Sequence, residues 1–129
     1  MSKINFKKEI PGTVEGTVAK VIEALKSGGF GVLTRIDFHT KMKEKLNKDI
    51  APTVILGACN PQLAYDAFQQ NTDVTSLIPC NVVVRELSVN KVSIEIAKPS
   101  ALLGVLDDPA MSAMAQDTDK TLLKILETL

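Results

Sequence analysis

The sequence predicts an α+β fold, with helices packed against a mixed, largely antiparallel sheet in a single compact domain over residues 1–129. Three observations predict it. Ile4, Phe6, Lys8 and Ile10 alternate with polar neighbours, and Val92, Ile94 and Ile96 do so again, which is the period of half-buried strands. Val14, Val18, Val21, Ile22 and Leu25 fall three or four apart, the period of a helix with one buried face. Asn60-Pro61 and Asp108-Pro109 each set a capping side chain before a proline suited to the first helical position.

Taken in order, the first strand runs to Pro11-Gly12, and the first helix ends at Gly28-Gly29, where glycine supplies the left-handed turn. Residues 30–36 are apolar and β-branched, as a second strand requires, and Asp37 stands where it would cap the next helix. On that helix Phe38, Met42 and Leu46 share a face, with Lys43, Lys45 and Lys48 towards the end that favours positive charge. The apolar run at 54–59 fits a strand covered on both sides, and a helix opens after Asn60 with Leu63, Ala64, Ala67 and Phe68. Beyond an irregular stretch at 71–79, residues 80–84 and 92–96 form a hairpin turned by Ser88-Val89-Asn90. Ser100 is expected to cap a brief helix reaching Leu106. The last helix carries a seam of Met111, Ala115, Thr118, Leu122, Ile125 and Leu129.

Composition excludes several functions. Fifteen basic and fifteen acidic residues give no net charge and no field to gather phosphates, and 4% aromatic residues provide few stacking platforms, so nucleic acid is not an expected partner. The first residues carry no apolar stretch, so no signal peptide or membrane span is read and a cytoplasmic location is expected. In that compartment Cys59 and Cys80 are expected as free thiols.

The residues with most chemistry are two matching dipeptides at predicted strand edges, Cys59-Asn60 and Cys80-Asn81. Cys59 also precedes a helix N-terminus, whose dipole lowers thiol pKa values from about 8.5. The plainer reading makes both cysteines small buried hydrophobes, which are inert. No thioredoxin-type pair is present, because the thiols stand a helix apart. Zinc needs about four ligands, and two Cys with one His in unrelated spacing do not supply them, so no metal or cofactor is expected. His39 serves as base towards Cys59 only if the starts of the second and third helices meet. Gly28-Gly29-Phe30-Gly31 follows a helix and enters a strand, the reverse of a phosphate loop. Asp107-Asp108 reads as a cap, and Glu44 with Asp49 lies on a lysine-rich face.

The segments at 29–37 (GFGVLTRID), 55–61 (ILGACNP) and 77–84 (LIPCNVVV) together resemble the signatures of the domain-of-unknown-function 302 family. The likeness extends over nearly the whole chain. It implies a small α+β domain, often dimeric, with no established activity. Both Cys-Asn dipeptides fall at motif positions, so the resemblance points to Cys59, Asn60, Cys80 and Asn81 as a shared site, while His39 falls outside it.

Three readings follow. The first is a module binding a small ligand with an anionic group at the two Cys-Asn dipeptides. The alternative is a thiol enzyme or redox sensor using Cys59 with Cys80. The third is an interaction protein acting through the face of a homodimer.

Overall fold

The computed structural model describes residues 2–129. The chain runs β1 (Asn5–Pro11), α1 (Val14–Ser27), β2 (Gly31–Asp37), α2 (Phe38–Leu46), β3 (Thr53–Cys59) and α3 (Pro61–Gln70). A 3-10 segment (Thr72–Leu77) leads to the hairpin β4 (Cys80–Ser88) and β5 (Lys91–Ala97). α4 (Pro99–Leu103) passes through a 3-10 turn (Gly104–Leu106) into α5 (Pro109–Glu127).

The five strands form one sheet in the order β1-β5-β4-β3-β2, and every neighbouring pair is antiparallel. The sheet expected to be largely antiparallel is so throughout. β1 and β2 stand at opposite edges, so α1 carries the chain across one face. Side chains alternate between the faces of a strand, and the inward set is Val54 and Leu56, Val82 and Val84, and Val92, Ile94 and Ile96. Val18, Val21 and Leu25 of α1 and Leu122, Ile125 and Leu126 of α5 pack on them. Burying each such side chain contributes roughly 1.5–3 kcal/mol, which is why these two helices hold the fold.

Local chemistry sets the boundaries. Thr13 accepts from the Gly16 amide at 3.1 Å to start α1, and Gly29, at φ +83°, ends it. Asp108 Oδ1 accepts from Ala110 N and Met111 N to start α5, as its sequence predicts. At the far end of α5, Lys8 of β1 donates to the Leu126 and Glu127 carbonyl oxygens, placing a cation where the helix dipole is negative.

Two caps differ from expectation. Asp37 makes no capping bond; its carboxylate pairs with Arg35 at 3.0 Å, and Arg35 also holds Glu15 of α1. Ser100 lies inside α4, which starts at Pro99; its amide and hydroxyl bind the Asp119 carboxylate on α5 instead. In both places a partner distant in sequence or fixed by tertiary packing outcompetes the local amide.

The apolar face of α2 is not buried in this chain. No residue of α2 is buried, and the helix is pinned to β3 where the Thr53 amide donates to His39 Nδ1 at 3.0 Å. The seam of α5 divides between two cores. Met111 joins Ala67 and Val74 in a smaller cluster under α3, while Leu122 and Ile125 reach the main one. Leu126, not read in the seam, is buried, and Leu129 packs at its margin. Among the described residues no helix is long and apolar enough to cross a membrane.

Candidate functional site

Antiparallel pairing sets the end of β3 beside the start of β4. Ala58 faces Cys80 in the ladder, so Cys59 and Cys80 are one register step apart. Asn60 then turns the chain into α3, its Oδ1 accepting from the Leu63 amide at 3.2 Å. α3, the 3-10 segment, α4 and α5 close over this end of the sheet and leave a cavity of ≈ 70 Å³. Cys59, Asn60 and Cys80 all line it, with Phe30, Leu63 and Met114.

The lining is almost entirely carbon. Its polar side chains are the two thiols, Asn60 and Thr118, and the Thr118 hydroxyl already donates to the Met114 carbonyl at 2.9 Å. Burial pushes the Cys59 thiol above its ordinary range. Burial pushes Cys80 further, up to about 11, and the neighbouring Cys59 and the Asp119 carboxylate add to the shift. The pKa depression expected for Cys59 at a helix N-terminus is therefore reversed. Loss of water around the sulfur outweighs a helix end whose amides are partly taken, since Pro61 has none and Leu63 and Ala64 donate to Asn60.

DUF302, a domain of unknown function, matches residues 6–129. The chain belongs to the DUF302 family. The crystal structure of an uncharacterized conserved DUF302 protein from Bacillus stearothermophilus superposes with a TM-score of 0.90 at 32% identity, covering 98% of each chain. Among curated proteins, none matches.

In this DUF302 chain the four expected site residues do not stay together. Cys59, Asn60 and Cys80 share the cavity, whereas Asn81 faces Gly57 in the ladder, is exposed and does not line it. Strand alternation places neighbouring residues on opposite faces, so the second dipeptide contributes its cysteine alone. His39 sits at Thr53, the far end of the seven-residue β3, roughly 20 Å from Cys59 at about 3.3 Å per residue. It is neither a base nor a third ligand for these thiols.

Met114, Leu63 and Phe30 were not readable as lining residues, because their convergence depends on how α3 and α5 cross the sheet. Thr118 carried a usable signal, being the lone hydroxyl in an otherwise apolar seam that lines the same cavity four residues after Met114.

The opposite face of the sheet carries a wider groove of ≈ 430 Å³ among Phe38, Ile50, Ile55, Val83 and Arg85. Arg85 pairs there with the buried Glu95, which also accepts from the Ser93 hydroxyl at 3.2 Å.

Proposed function

We propose that this protein is a binding module whose site is the cavity lined by Cys59, Asn60 and Cys80. The observation that supports the reading most is that two cysteines at strand edges, 21 positions apart in sequence, line one opening beside a helix start. The occupant is small and soft or apolar. No basic side chain lines the cavity, and Asp119 is the charge acting on Cys80, so the anionic ligand expected from the helix N-terminus has little to hold it. Raised thiol pKa values keep both sulfurs protonated near neutral pH and speak against a thiolate nucleophile. Free thiols fit a reducing compartment such as the cytoplasm.

Thermal unfolding with a panel of small uncharged apolar compounds and small anions tests this reading. An apolar compound at about a hundred times its dissociation constant adds about 2.7 kcal/mol to the native state. The gain is lost in Ala64→Leu, which fills the cavity from α3. Stabilisation by anions alone, or stabilisation that persists in Ala64→Leu, contradicts it.

A second reading, a homodimer, has its own support. On the open sheet face Ile36 is 43%, Phe38 37% and Ile50 42% exposed, enough to make one apolar patch with Ile55 and Val83. Lys7, Glu9, Arg85 and Glu95 lie on that same face. A patch carrying both signs suits an isologous contact with a second copy. Sedimentation of the wild type and Phe38→Glu decides it: a dimer that the substitution dissociates supports the reading, and a monomeric wild type ends it.

A further inference from the structure

Asn60 both lines the cavity and opens α3, and the two roles use different atoms of its side-chain amide. Oδ1 accepts from the Leu63 amide at 3.2 Å, which fixes the side chain and leaves Nδ2 without a protein acceptor among the described residues. Gly29, at φ +83°, keeps that nitrogen uncovered: a Cβ there would lie 3.1 Å from Nδ2. The other polar side chains of the lining have less to donate. The Thr118 hydroxyl already commits its proton to the Met114 carbonyl, and a thiol is a weak donor. We propose that the cavity binds a small neutral carbonyl compound, its oxygen accepting from Asn60 Nδ2 and its carbon chain lying among Leu63, Ala64 and Met114. The inference rests on the reading of the cavity as the binding site and names its ligand class.

Chemistry narrows the class. An apolar cavity of about 150 Å³ takes benzene, so ≈ 70 Å³ takes roughly three or four carbon atoms. Water in such a space needs about two to four polar partners, more than this lining offers. A carboxylate would bring a charge that no basic lining side chain meets. A hydroxyl would bring a proton as well as lone pairs, and that proton would need an acceptor of its own from a lining that is almost entirely carbon. A carbonyl brings acceptor lone pairs alone, which matches a site with one uncommitted amide donor. The cap bond to Leu63 holds that donor in place before a ligand arrives, so little side-chain freedom is lost on binding.

The test is a chemical-shift titration of the whole chain with methyl ethyl ketone and with its hydrocarbon isostere, in which a methylene group replaces the oxygen. Wild type, Asn60→Asp and Ala64→Leu are compared. Asp caps a helix as well as Asn, so Asn60→Asp keeps the Leu63 bond and exchanges the donor for an acceptor. Both compounds are expected to bind wild type, and neither Ala64→Leu. Asn60→Asp is expected to weaken the ketone by at least about fivefold and the alkene by less than about twofold. Comparing variants rather than compounds cancels the difference in hydration between the two ligands. The infrared carbonyl band of the bound, isotope-labelled ketone needs no substitution, and it should fall below its position in cyclohexane; where Asn60→Asp does not fold, this band decides. Ketone binding unaltered in a folded Asn60→Asp, an equal change for both compounds there, or a carbonyl band at the cyclohexane position overturns the proposal. Alkene binding without ketone binding removes the carbonyl claim alone, and failure of both removes the cavity reading with it.

Discussion

Cys59 closes β3 and Cys80 opens β4, one step apart in the ladder because Cys80 faces Ala58. This is how a sheet brings together two residues separated by a helix and a 3-10 segment. It also makes the two sulfurs electrostatic neighbours, so ionising one disfavours the other.

Alkylation by iodoacetamide, followed residue by residue against pH, should show both thiols slow at pH 7. Cys59 should gain rate first as pH rises, and Cys80 only towards about 11. A raised thiol pKa stabilises the fold below the unfolded value and is lost as pH rises through the folded one. Unfolding free energy should therefore fall between about pH 9 and 11, by about 3 kcal/mol for Cys80. The fall should shrink in Cys80→Ala to the part that Cys59 contributes; a fast thiol at pH 7 would contradict the assigned burial.

Asp119→Asn separates structure from electrostatics. The carboxylate holds Ser100 through its amide, at 3.0 Å, and its hydroxyl, so its replacement should cost about 1–2 kcal/mol in denaturant unfolding. The same variant should lower the Cys80 pKa, because Asp119 contributes to raising it. An unchanged Cys80 titration would remove Asp119 from the site's electrostatics.

Gly57 tests the packing that fixes the cavity end of the sheet. A Cβ there would lie 2.2 Å from Thr34 Oγ1 and 2.8 Å from Pro79 Cγ, and the proline ring cannot swing away. Gly57→Ala should destabilise by roughly 1–3 kcal/mol, and adding Thr34→Ala should recover only part. Wild-type stability in the single variant would show that β2 and the Pro79 turn shift freely.

On the open face, Arg85→Ala leaves the buried Glu95 with Ser93 as its remaining partner. Arg85 is 41% exposed, so solvent screens much of the pair and the expected loss is about 1–2 kcal/mol in urea unfolding. A neutral result would mean that water replaces the guanidinium.

What the sequence makes legible follows the range of the interaction. The hairpin, the Asn60 and Asp108 caps and the α5 seam depend on neighbours within a turn or on periodicity; the hairpin and caps stand as read, and the seam does so with Leu126 added and Leu129 at its margin. Asp37 and Ser100 look like caps by the same local rule, yet Arg35 and Asp119 hold them elsewhere. The site divides likewise. Cys59 and Asn60 declare themselves beside a proline, but their meeting with Cys80 depends on strand register, and the direction of the thiol shifts depends on burial by α3, α4 and α5. Asn81 was grouped with them by composition, and only the facing of β4 separates it.

The most direct measurement is an amide-resolved NMR titration of the chain with a small uncharged apolar probe. The account predicts shifts concentrated at Phe30, Cys59, Leu63, Cys80 and Met114, around the cavity. Shifts confined to Phe38, Ile50 and Val83 on the open face, or none at saturating probe, would contradict it.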